Sequence, residues 1–149
     1  MSMITKIALV TTALALVGPV LLKGASHSWA RVPWYQADRG PTGLAPDPAE
    51  TREAVVQVYA AQTYSWRGVF AVHTWIAVKP ENAERYTRWD VVGWGGGRVV
   101  RRDYGGPDDR WYGKMPQVLV EHRGPAAAAL IPRIEAAVGT YPWAETYRT

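Results

Sequence analysis

The chain has 149 residues, 48% of them hydrophobic, which is the size of one ordinary domain with one core. Its formal charge of +4 is halved once Lys6 and Lys23, which flank an apolar leader, are set aside; that is too weak for a nucleic-acid footprint, so nucleic acid is not expected as a partner. The absence of cysteine excludes disulfides and a thiol nucleophile and leaves stability to packing.

The leader comes first. Residues 7–22 carry no charge and lie between Lys6 and Lys23. At about 1.5 Å per residue they make a helix of roughly 24 Å, shorter than a hydrocarbon core of about 30 Å, and Gly18-Pro19 predicts a kink. The pattern predicts a secretory signal peptide over residues 1–30, with a small-x-small cleavage site at Ser28-Trp29-Ala30. An uncleaved anchor, with Lys23 snorkelling to the headgroups, is the alternative, and a buried N-terminal helix is the third. Either of the first two puts the domain in the cell envelope, periplasmic or membrane-anchored, where the expected partner is an envelope component: a peptide, a sugar or a lipid.

Residues 31–46 hold Pro33, Gly40, Pro41, Gly43 and Pro46, a composition that breaks regular structure and predicts an extended linker or wrapping arm. A single domain is expected over residues 47–149. Asp47-Pro48-Ala49-Glu50 reads as the start of a brief helix, with Asp47 as N-cap and Pro48 in the first turn. Val56, Val58 and Ala60 alternate with Gln57 and Tyr59, the period-two signal of a strand. After a turn at residues 65–68 a second strand runs over residues 69–78 and stops at Pro80. A third strand is predicted over residues 88–94, a glycine turn at 95–97, its return strand over 98–104, and a last strand over 117–122. The glycines lack the Lys-Ser/Thr and helix of a phosphate loop. Arg98, Arg101 and Arg102 read as a charged hairpin edge, with a site for an anionic ligand or lipid headgroup as the alternative. From Pro125 a helix places Leu130, Ile134 and Val138 on one face and ends at Gly139; Pro132 inside it predicts a kink or break near Ile131. Strands followed by a packing helix give an α+β fold, an antiparallel sheet of four to six strands with a C-terminal helix.

The candidate catalytic residue is His73, at the middle of an apolar strand, where a structural histidine hydrogen-bonded within the sheet is the competing reading. If the strands around His73 and Asp90 form a hairpin in which these two face each other directly, Asp90 orients the imidazole; a one-residue slip would separate them onto opposite faces. The nucleophiles that would use such a base are scarce: Ser65 is the only serine after the leader, and it lacks a Gly-x-Ser-x-Gly elbow. His27, His73 and His122 show no metal-ligand spacing, so no metal and no cofactor is expected. A second class of function is a binding module in which Trp66, Trp75, Trp89 and Trp94 line a cleft and stack on a sugar or peptide; packing within the sheet is the bland account of the same residues.

Several segments carry a family resemblance: Leu44-Ala45-Pro46-Asp47-Pro48-Ala49, Ala54-Val55-Val56-Gln57-Val58-Tyr59, Trp66-Arg67-Gly68-Val69-Phe70, His73-Thr74-Trp75-Ile76-Ala77-Val78-Lys79, Val92-Gly93-Trp94 and Leu130-Ile131-Pro132-Arg133-Ile134. Together they resemble bacterial domain-of-unknown-function family 3750. The resemblance implies a continuation past Tyr141-Pro142-Trp143 into a Trp-Pro-Gly-Pro-Asn-Ser-Asn-Thr-Phe motif, so the chain is expected to be truncated before it. A more distant likeness is to circularly permuted papain-like proteins, cell-wall peptidases among them, in which a strand histidine precedes the nucleophile. That likeness implies an amide or ester hydrolase acting on cell-wall peptide or lipid, with His73 as base, Asp90 as orienter and the nucleophile lost; the chain as it stands is therefore expected to be an envelope protein that is not catalytically competent, with the hydrolase as the alternative.

Overall fold

A computed structural model describes residues 2–26 and 32–147. Helix α1, Met3–Ser26, carries the apolar leader with Pro19 inside it. Its span Met3–Ala25 has a mean hydropathy of 1.9, and none of that apolar window is buried, so a leader buried in the domain is not what forms. By length and composition α1 is able to cross a membrane, as a signal sequence also is. The expected cleavage site at Ser28-Trp29-Ala30, and His27, lie outside the described residues.

Five strands follow: β1 Val55–Gln62, β2 Val72–Lys79, β3 Thr87–Val91, β4 Val100–Arg102 and β5 Gln117–Arg123. They form one antiparallel sheet in the order β4-β3-β2-β1-β5. A 3-10 helix, Ser65–Val69, joins β1 to β2. Helix α2, Gly124–Gly139, closes the fold. The α+β expectation thus holds, and so does the glycine turn, where Gly95, Gly96 and Gly97 all take the left-handed backbone that costs glycine least.

One local expectation fails and another is narrowed. Asp47 does cap a turn, its Oδ1 accepting from the Ala49 amide at 2.8 Å and its carbonyl from Thr51, but no helix propagates. One turn fixes many dihedrals for few hydrogen bonds, and the chain passes directly toward β1. Pro132 neither breaks nor divides α2, which runs its full 16 residues. Packing of the flanking residues on the sheet outweighs the one lost hydrogen bond.

Alternation sorts the sheet into two faces. Ala54, Val56 and Val78 pack against Ala127 and Ile131 of α2, with Leu130 and Ile134 alongside. The helix can follow β5 without a loop because Gly124 adopts φ 59 and donates to the Ala54 carbonyl at 2.8 Å. On the other face Val55, Tyr59, Ala61, Trp75 and Ala77 form the larger core with Tyr86, Trp111 and Tyr112. Parts of the proline-rich arm, Ala37, Leu44 and Ala45, pack against it. Buried Asp108 pins the arm: its Oδ2 accepts from the Leu44 amide at 2.6 Å and from the Thr42 hydroxyl at 3.0 Å.

Candidate functional site

His73 is the second residue of β2, and it shares the arm-covered face with Trp75 by strand alternation. Asp90 stands opposite Trp75, not opposite His73. The register therefore differs by two residues from direct pairing, and a shift of two preserves the face. His73 reaches diagonally instead, bringing Nε2 to 2.7 Å from Oδ1 of Asp90. Both side chains are buried, Asp90 wholly and His73 with 9% of its side-chain surface open.

Arg88 stands two residues before Asp90 on the same face. Its Nε donates to Oδ2 at 2.8 Å and its Nη2 to Oδ1 at 2.9 Å, a bidentate charge-assisted pair. The remaining Nη1 donates to the Gly106 carbonyl at 2.9 Å, so the guanidinium also ties the 103–109 turn to the sheet. Its plane lies over Trp75 with Cζ 4.1 Å from the ring centroid. Trp75 is fixed in turn by stacking on Tyr59 at 5.3 Å and by donating its indole N–H to the Pro107 carbonyl at 2.7 Å. Trp111 completes the wall, stacked on the imidazole with centroids 3.5 Å apart and planes 10° from parallel.

These contacts decide the protonation of the pair. Burial alone would raise the Asp90 pKa, but hydrogen bonds from His73 and Arg88 and the Arg88 charge together hold it below the usual carboxylate value. An ionised Asp90 accepts, so Nε2 of His73 carries the shared proton. In the neutral ring the basic lone pair then sits on Nδ1. Among the described residues, the side-chain partners of His73 are Asp90, Trp75 and Trp111, none of them a nucleophile. Ser65 opens the 3-10 helix with φ 58. No cluster of three or more His, Cys, Asp or Glu side chains that could hold a metal ion occurs among the described residues.

The four tryptophans do not line one cleft. Trp75 is buried in the stack just described, while Trp89, next to Asp90 along β3, points to the opposite face, paired with Ile76 and approached by Arg102. Trp66 is exposed on the 3-10 helix, and Trp94 is exposed beside Trp111 at 6.0 Å. Sequence reasoning missed Arg88 and Trp111. Arg88 had a signal, because two residues before Asp90 on a strand means the same face; Trp111 lies between turns in no periodic element and had none.

The sequence profile of a family described as "Protein of unknown function (DUF3750)" matches residues 53–149. The chain belongs to the DUF3750 family. No curated protein and no solved structure matches it. The DUF3750 match takes in the whole sheet, α2 and every residue of the His73, Arg88, Asp90 and Trp111 cluster, whereas α1 and the arm precede it.

Proposed function

We propose that this DUF3750 chain is a cell-envelope protein anchored by α1, whose sheet domain supplies the general-base half of a site that hydrolyses amide or ester bonds of cell-wall peptide or lipid. The observation that carries the reading is the division of the imidazole. Nε2 is committed to an ionised, arginine-clamped Asp90, and Nδ1 is left as the basic atom. His73 takes the proton of the attacking group on Nδ1 and returns it to the leaving group. Asp90 fixes the tautomer and stabilises the transient imidazolium, and Trp111 and Arg88 hold ring and carboxylate in place. The nucleophile is not among the partners of His73, so it arrives as water or as a group presented with the substrate.

Diethyl pyrocarbonate, which acylates an unprotonated imidazole nitrogen, tests this on the folded full chain near neutral pH. Peptide mass mapping separates His73 from His27 and His122. His73 should be acylated without unfolding, and Asp90→Asn should slow the reaction by weakening the base. Acylation only at the rate of global unfolding, or a rate indifferent to Asp90→Asn, would show a sealed structural histidine and overturn the reading.

A further inference from the structure

The β1–β2 end of the domain departs from the rest in two ways. It exposes large apolar side chains together: Trp66 is 53% exposed and Phe70 67%, with Val72 open beside them. The segment after α1 brings more, since Trp34 and Tyr35 are exposed and Tyr64, which caps the 3-10 helix, donates its hydroxyl hydrogen to the Val32 carbonyl at 2.6 Å. Contiguous exposed aromatics of this kind mark an interaction surface rather than ordinary scatter.

Charge is the second departure. All thirteen acidic residues fall outside residues 1–37 and 54–80. The exposed charges of α1 and of the β1–β2 connection, Lys6, Lys23 and Arg67, are therefore all cationic, and Arg67 lies over the Trp66 ring at 5.2 Å. The 3-10 helix also lies against α1. Tryptophan, tyrosine and snorkelling cations next to an apolar helix are the composition of a membrane–water interface, and segments that carry cations and no carboxylates suit anionic headgroups.

We infer that the 3-10 helix Ser65–Val69 with Phe70, together with residues 32–35, forms a second membrane contact, one that rests the sheet domain on an anionic lipid surface with Trp66 and Phe70 at headgroup depth. The inference rests on the reading of α1 as an anchor. It adds that the domain is docked on the bilayer, not tethered above it.

The cysteine-free chain makes the test direct, because one introduced cysteine is the only thiol. Full-length Phe70→Cys, Leu14→Cys and Leu119→Cys, each at an exposed position, are spin-labelled and reconstituted in phosphatidylcholine vesicles with and without phosphatidylglycerol. Collisions with oxygen, which concentrates in lipid, are compared with collisions with a water-soluble nickel chelate. Label 14 should favour oxygen and label 119 nickel. Label 70 should favour oxygen several-fold more than label 119, with the difference shrinking in vesicles lacking phosphatidylglycerol and in Arg67→Gln. Trp66→Cys serves as the second site if the Phe70 variant does not fold. Label 14 in lipid with labels 70 and 66 as aqueous as 119 would overturn the docking surface and leave the anchor standing. Label 14 in water would overturn both.

Discussion

Replacing Arg88 with methionine should be among the most damaging single changes on the sheet. Methionine retains an unbranched apolar stem but removes both hydrogen bonds to Asp90, the one to Gly106 and the cation over Trp75. Asp90 is left buried with His73 as its remaining side-chain partner. Removing one member of a buried ion pair costs about 3–5 kcal/mol, much of it the uncompensated charge. That is a large part of the roughly 5–15 kcal/mol that holds a domain folded. Arg98 provides the contrast: it meets Glu145 at 3.2 Å with both side chains about two-thirds exposed, so Arg98→Met should cost only about 0–1 kcal/mol. Urea unfolding followed by the near-ultraviolet signal of Trp75 and Trp111 reads the sheet and not α1. With a slope of about 2 kcal/mol per molar, Arg88→Met should lower the midpoint by about 2 M. The double variant with Asp90→Asn should be less damaging than the two losses added, because the stranded charge is gone. An Arg88→Met midpoint shifted no further than that of Arg98→Met, or strictly additive losses, would refute the clamp.

Acid should weaken the fold through Asp90. Its folded pKa is depressed below the ordinary 3.8, so its contribution is fully present above that value and is lost as pH falls through the folded one; urea midpoints from about pH 5 to about pH 2 should drop, and less so in Asp90→Asn. Tyr86 acts at the other end of the scale, because burial, opposed by Arg123, pushes it up to about 12 while its hydroxyl donates to the Pro46 carbonyl. Its contribution is present below pH 10 and is lost as pH rises toward about 12; Tyr86→Phe should flatten that alkaline loss and cost about 0.5–1.5 kcal/mol at neutral pH, measurable by the same unfolding assay. Pro132 is exposed inside an unbroken helix, so Pro132→Ala should restore a hydrogen bond and stabilise by about 1–3 kcal/mol, read as a higher melting temperature. A lowered melting temperature would show that the ring packs usefully where it stands.

The strands were legible because alternation over Val56, Val58 and Ala60, and around His73, is a local property that tertiary contacts only reinforce. Their ends were not: the predicted third strand continued to Trp94, but the chain turns after Val91 into the glycine segment. The nearness of His73 to Asp90 was readable as a shared face, yet the register needed the hairpin itself, since residues 80–86 set the offset and carry no periodic signal. The supposed tryptophan cleft contained its own contradiction, because Trp89 and Trp94, five residues apart on the strand predicted over residues 88–94, cannot point to one side of it. What sequence could not offer was the cover over the site. Trp111 and the Asp108 anchor act through turns, where composition marks a loop and says nothing of what it lies on.

The placement of His73 near the start of β2 has a consequence for reach. It follows Phe70 by three residues, which at about 3.3 Å per extended residue is about 10 Å of chain. With the 3-10 helix resting on headgroups, the imidazole would stand no more than roughly that far above the bilayer surface. On the proposed function such a height would act as a ruler, favouring scissile bonds held on a short stalk from a lipid over those buried at acyl-chain depth or carried deep in a thick wall layer.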